Sequence, residues 1–226
     1  MEVSMRLFID DGNVEAISEL FDLGFFSGIS TNPSILKRTG RRPLEVIQEM
    51  LKRFSGSLFV QCASRNYDEV IREGKELFKL DPKRIILKIP FSRTGIRVLR
   101  EFKQLKIPAL ITGVFSVPQV LMSAEAGADY VAPYANRIEN LGIDLSVVES
   151  MQKVITNGDY ETKLIAASFK TLTQISKMAE LPIYGMSLPV SMYSEFFAHS
   201  GTLKAIDNFD ADWDSIKDRE WVPFKS

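Results

Sequence analysis

The sequence is poor in the groups from which many protein sites are built. It has one cysteine, Cys62, and one histidine, His199. A lone cysteine excludes an intramolecular disulfide, and a lone histidine argues against a histidine-rich metal centre. Charge of one sign is also missing: 28 Lys plus Arg stand against 29 Asp plus Glu, for a net charge of -1. A protein that binds nucleic acid or a membrane surface would show a basic bias. No apolar run reaches membrane-spanning length, and residues 1–11 lack a signal-peptide core. The expectation is a soluble cytoplasmic protein with no metal, nucleic-acid or membrane partner. Cys62 reads as a small core residue and His199 as a surface or capping group.

Core-forming material is abundant. A chain of 226 residues that is 45% hydrophobic suits one large domain or two small ones. Short β-type runs at residues 5–10, 28–31, 57–61, 84–89, 108–112, 129–132, 163–167 and 183–188 alternate with helical patterns at 13–23, 44–54, 67–78, 93–105, 117–126, 144–156, 171–179 and 190–198. Eight strands each followed by a helix predict a single (β/α)8 TIM barrel of the α/β class over residues 1–200. A doubly wound open sheet is the alternative. Residues 201–226 remain as a tail. In it Leu203, Ile206, Phe209, Trp213 and Ile216 recur at spacings of three or four, which predicts an additional C-terminal helix with one apolar face, and both tryptophans, Trp213 and Trp221, fall in this segment. That face would cover either a neighbouring subunit or its own barrel.

One strand is out of character. Residues 84–90 read R-I-I-L-K-I-P, an apolar run suited to a strand covered on both faces, with Lys88 inside it. An ammonium there loses hydration, so Lys88 is paired, snorkels, or is an amine tuned for chemistry. The carboxyl ends of the eight strands decide between these. They carry Asp10, Thr31 with Asn32, Gln61, Lys88, Thr112, Tyr134, Ser168 and Ser187. In a closed barrel these ends converge on the face where barrel enzymes place their active sites. Polar loops alone would explain polar strand ends, but not one cation among neutral groups and one carboxylate.

These residues carry a resemblance. F-I-D at 8–10, G-I-S-T-N-P-S-I at 28–35, I-L-K-I-P at 86–90, A-P-Y-A-N-R-I at 132–138 and A-A-S-F-K at 166–170 resemble the small transaldolase family, and within it the fructose-6-phosphate aldolase branch. The likeness runs from about Met5 to Trp213 in one register. It implies a class I aldolase that needs no cofactor, with Lys88 forming a Schiff base with a ketose. For that the amine must be neutral, so its pKa must fall from a reference near 10.4. By the same resemblance Asp10 and Asn32 hold substrate hydroxyls, Thr31 lies beside them, and Thr112, Gln61 and Tyr134 order a catalytic water and move the proton of the cleaved hydroxyl. Transaldolases proper carry a glutamate and a phenylalanine where this chain has Gln61 and Tyr134. Glutamine cannot exchange a proton, so Tyr134 becomes the expected acid and base. Leu110 and Ala132 point to the same branch.

Ser168, Phe169 and Lys170 precede the helix expected at Thr171. A hydroxyl, free backbone N–H groups and a cation would gather there to bind a phosphate, with Arg137 adding a bidentate fork. The implied partners are sugars and sugar phosphates, and the implied assembly is a homo-oligomer, a pentameric ring or a decamer. Asp11, Gly12 and Phe91 depart from the family pattern. Two readings stand beside the aldolase: a transaldolase passing a dihydroxyacetone unit between sugar phosphates, and a non-catalytic sugar-phosphate-binding barrel.

Overall fold

In a computed structural model, which describes residues 5–217, all eight expected strands form: β1 (Arg6–Asp10), β2 (Gly28–Ser30), β3 (Ser57–Gln61), β4 (Ile85–Pro90), β5 (Ala109–Val114), β6 (Tyr130–Pro133), β7 (Lys163–Ala166) and β8 (Gly185–Leu188). Each pairs in parallel with its sequence neighbour, and β8 returns to β1, so the sheet closes into a barrel. Parallel pairing requires a crossover between strands. These are supplied by α1 (Val14–Phe21), α2 (Pro33–Arg38), α3 (Pro43–Arg53), α4 (Tyr67–Leu80), α5 (Arg93–Gln104), α6 (Val117–Glu125), α7 (Ala135–Asn140), α8 (Val147–Asn157) and α9 (Leu172–Ala179).

Two of these helices were not expected, α2 and α7. Each has six residues, too few for a periodic pattern to emerge. The local chemistry of α2 is nonetheless clear. Asn32 caps it by accepting from the Ile35 N–H at 3.0 Å, and Pro33 occupies its first turn, where a missing N–H costs nothing.

The strands alternate their side chains between the barrel interior and the helices. Phe8, Phe59, Ile86, Leu110, Ala132, Ile165 and Ala167 form the interior cluster, with Tyr130, Tyr134 and Tyr184 against it. Phe8 and Phe59 meet edge to face at 5.3 Å, and burying each such ring is worth about 1.5–3 kcal/mol. Two glycines serve the closure. A Cβ on Gly28 would stand 2.0 Å from the Ser57 carbonyl oxygen, so β2 and β3 approach this closely only without one. Gly113, at φ +71°, is the extra residue of a bulge that shifts the β5–β6 register between Thr112 and Val114. The bulge also carries β5 past its expected end at Thr112.

At the amino-terminal end of the barrel, the Lys163 Nζ lies 4.9 Å from the Tyr184 ring centroid and 5.8 Å from that of Tyr130. Cys62 is buried, as expected of a core residue, and burial followed by the charge of Glu73 pushes its thiol up to about 12.

The chain divides into two compact units, Met1–Val190 and Ser191–Ser226. The second contains most of α10 (Val190–Phe197) and all of α11 (Ser200–Ser215). No residue of α11 is buried, and Leu203, Ile206, Phe209 and Trp213 follow its helical period. His199 precedes α11 at the cap position without a side-chain bond to the helix. Trp221 lies outside the described residues. No helix among the described residues is long and apolar enough to cross a membrane.

Candidate active site

A cavity of about 410 Å³ opens at the carboxyl end of the strands. Of the residues singled out in the sequence, it is lined by Asp10, Asn32, Gln61, Lys88, Tyr134, Arg137, Ser168 and Lys170. Contributions thus come from the ends of β1, β3 and β4 and from the segments after β2, β6 and β7. A larger cavity of about 620 Å³ adjoins it beside β3, β4 and α5 and shares Gln61 and Pro33. The larger one has no amine at its centre, and its thiol is that of Cys62. The smaller cavity holds the buried amine, a carboxylate and a phenol together.

Lys88 is 4% exposed. Its Nζ donates to Ser30 Oγ and to the Thr31 carbonyl oxygen, each at 2.8 Å. Burial lowers the pKa of the amine from its ordinary value, and the attraction of Asp10 opposes this without cancelling it. In the neutral form the amine has two hydrogens and one lone pair. Both hydrogens have acceptors in Ser30 and Thr31, so the lone pair is left for another atom. Burial also raises the carboxyl pKa of Asp10, first against Lys88, then against a hydrogen bond from Ser30 and the charge of Arg38, while Asp11 adds to the rise.

Across the cavity, Thr112 Oγ1 and Tyr134 Oη are 2.6 Å apart. Thr112 itself is buried and meets the cavity only through this bond. Burial raises the Tyr134 pKa above its usual value; Thr112 and Arg137 pull it down, and Asp10 pushes it up. The phenol therefore keeps its proton across the neutral range. Arg137 stacks its guanidinium over the Tyr134 ring at 4.8 Å, so the tyrosine that bonds to Thr112 also orients a cation at the mouth.

Several expected placements change. The Thr31 hydroxyl turns into the sheet and donates to the Phe59 carbonyl at 3.0 Å; Thr31 reaches the amine through its own carbonyl. Ser187, read as a strand end at the site, is buried within β8 and does not line the main cavity. Some of the N–H groups expected to be free at the start of α9 are occupied. Lys170 N and Thr171 N donate to Gln174 Oε1 at 2.8 and 3.3 Å, and Thr171 Oγ1 caps Gln174 N at 3.2 Å. Gln174 closes a capping box, which takes two of the orphan donors of the helix start. Ser168, held at φ +63°, Arg137 and Lys170 line the cavity beside it. Asp11 accepts from Gly12 N and Asn13 N at 2.7 and 3.0 Å and lines a separate cavity. Phe91 is not among the lining residues of the site.

Comparison with known proteins identifies this arrangement. Residues 7–220 match the family model described as Transaldolase/Fructose-6-phosphate aldolase. The chain belongs to that family. A probable transaldolase of Carboxydothermus hydrogenoformans is 34% identical over 214 residues, covering 94% of this chain and 100% of the relative. One of Clostridium kluyveri is 32% identical over 216 residues, covering 95% and 100%. Among solved structures, a dihydrodipicolinate synthase from Rhodopseudomonas palustris superposes with a TM-score of 0.59 at 8% identity, covering 83% of this chain and 71% of that one. An inosine 5' monophosphate dehydrogenase from Legionella pneumophila gives 0.59 at 11%, covering 83% and 58%. At such identities the likeness is one of fold.

As a member of the transaldolase/fructose-6-phosphate aldolase family, the protein is an enzyme of the class I aldolase and transaldolase type. Two groups of its site escaped the sequence reading. Ser30 takes a hydrogen of Lys88 and bonds to Asp10, and Arg38, at the end of α2, reaches the cavity beside Asp10 and Asn32. Strand parity offered a signal for Ser30, which stands two residues before Asn32. None was available for Arg38 while α2 was unread.

Proposed function

We propose that the protein is an aldolase which forms or cleaves fructose 6-phosphate, or a similar ketose, using dihydroxyacetone and glyceraldehyde 3-phosphate as the three-carbon partners. The observation that carries this is the buried amine of Lys88, whose two hydrogens are held by neutral oxygens. Its lone pair adds to the ketone carbon, the resulting carbinolamine loses its hydroxyl group as hydroxide, and a protonated imine remains on Lys88. The hydroxide takes a proton from the adjacent carbon, which gives an enamine and a water molecule. That carbon attacks the aldehyde, and the new alkoxide takes the proton of Tyr134, whose raised pKa keeps it in the donor form. Thr112 holds the phenol, Gln61 orders the water, and hydrolysis of the imine releases the ketose. Cleavage runs the same steps in reverse.

Asp10 and Asn32 surround the hydroxyls of the three-carbon donor, Thr31 holds the amine through its carbonyl, and Arg137, Ser168 and Lys170 bind the phosphate. The tyrosine at 134 and the glutamine at 61 favour aldol cleavage over transfer by the residue types they bring. The second reading, transfer of a dihydroxyacetone unit to an aldose phosphate, is favoured by the names of the relatives, each a probable transaldolase. We place the enzyme in the cytoplasm as a homo-oligomer in which α11 presents Leu203, Ile206 and Phe209 to a neighbouring subunit, because these side chains recur on one face and are exposed.

Fructose 6-phosphate is assayed in parallel with and without an aldose phosphate acceptor. Release of glyceraldehyde 3-phosphate without the acceptor supports the aldolase, and turnover only with it supports the transaldolase. Borohydride reduction with a ketose, followed by mass spectrometry, tests both. No adduct on Lys88 overturns its assignment as the imine-forming amine in either reading.

A further inference from the structure

Beneath Lys88 lies a small pocket of about 10 Å³ in the barrel interior, lined by Lys88, Ser30, Ser187 and apolar side chains that include Phe8, Phe59, Leu110 and Ile165. Ser187 is 3% exposed, and its hydroxyl is a buried side-chain oxygen with no hydrogen-bond partner among the described residues. Buried hydroxyls of native proteins are nearly always satisfied, by protein or by ordered water. The pocket is of the order of one probe sphere, the space that a single water needs, and it offers polar neighbours on two sides.

We propose that this pocket binds one water molecule, which bridges the hydroxyls of Ser187 and Ser30 directly beneath the reactive amine. The hydrogen count is consistent with this. Ser30 Oγ accepts from Lys88 and gives its own hydrogen to Asp10, so one of its lone pairs is unused. The water donates to that lone pair and accepts from Ser187. Its second lone pair faces the pocket wall to which Lys88 contributes, where it receives the third hydrogen of the amine whenever the amine is protonated. Ser187 thus acts through the water as a positioning residue for Lys88. The apolar walls keep the pocket from admitting anything larger.

The chemical effect rests on the reading of Lys88 as the imine-forming amine; the place of the water does not. Removing the water withdraws a partner from the charged amine and leaves the neutral form untouched. The groups that face Lys88 are Ser30 and Thr31 of β2 and the segment after it, together with Asp10 of β1. Tyr134, in the segment after β6, is acted on by the charge of Asp10, and the charges of Arg38 and Asp11 also act on Asp10. None of these changes in Ser187→Ala or Ser187→Val.

High-resolution crystal structures of the wild-type protein and the two variants provide the test. The wild type is expected to show a single water peak within hydrogen-bond distance of Ser187 Oγ and Ser30 Oγ, and both variants to lack it. An empty pocket in the wild type, or a Ser187 hydroxyl turned onto a backbone carbonyl, overturns the proposal. The second readout is the pH profile of borohydride trapping with a ketose. Its acid limb is expected to move to lower pH in both variants, and an unchanged limb overturns the positioning role. If no adduct forms in any of the three proteins while the water peak is present, the catalytic reading of Lys88 fails and the water site stands.

Discussion

Two lysines mark opposite ends of the same barrel and share almost nothing else. Lys88, near the carboxyl end of β4, is sealed under neutral oxygens of Ser30 and Thr31. Lys163 begins β7 at the other end, is exposed, and rests against the faces of Tyr184 and Tyr130. An aromatic face attracts the charged form of an amine, whereas burial among neutral acceptors favours the uncharged one. Residue type is therefore a poor guide to which lysine reacts. What separates the two is the number of faces from which water is removed and the charge of the groups that replace it.

Exchanging each lysine for an isosteric apolar residue should separate them most sharply. Lys88→Met is expected to lower kcat by about four orders of magnitude or more, as loss of a covalent nucleophile does, and to leave the thermal midpoint at neutral pH undiminished. The second expectation follows from linkage. The folded amine has a pKa below its unfolded value, so the unfolded chain binds the extra proton between the two values. The wild type gains stability as pH rises through that window, and the variant lacks this dependence. A Lys88→Met protein that retains a tenth of the activity would erase the distinction between the two ends.

The chemistry at the Lys88 end can be divided further. Tyr134→Phe removes the phenolic proton while keeping the ring on which Arg137 stacks. It is expected to cost about two orders of magnitude in kcat, with a smaller change in KM for the phosphorylated partner. Loss confined to KM would make Tyr134 a platform for Arg137 alone.

Asp10→Asn probes the electrostatics. Asp10 raises the Lys88 pKa, so its neutralisation is expected to carry the acid limb of borohydride trapping to lower pH. Movement to higher pH would show that something other than the Asp10 charge controls the amine. The smallest effect belongs to the far end of the barrel. Lys163→Met should leave kcat/KM unchanged and lower stability by about 0.5–1 kcal/mol, read from urea unfolding midpoints.

The barrel was legible because its strands are short apolar runs ending in polar residues, and because the helices between β3 and β8 that exceed a few turns show an apolar period. The short helices α2 and α7 were not, since six residues hold fewer than two turns. The position of Lys88 could be read for a related reason: a cation in an apolar run is visible in one dimension. Its restraints could not, because Ser30 belongs to another strand, and only the closed sheet brings the two residues, 58 positions apart, within 2.8 Å. The direction of the Thr31 hydroxyl was equally out of reach, since its partner is the backbone of β3. At the start of α9 the sequence showed backbone donors without showing that Gln174 takes two of them.

That glutamine has a consequence for how the site meets an anion. Gln174 ties the start of α9 to α7 through Glu139 at 2.6 Å and Asn136 at 3.3 Å, and the same side chain masks two backbone donors. An anion at this mouth would meet long, solvated side chains, which follow a ligand as it shifts and lose their hold as ionic strength rises. Two backbone donors that could have stiffened such a grip are instead spent on holding α9 in register with its own first turn.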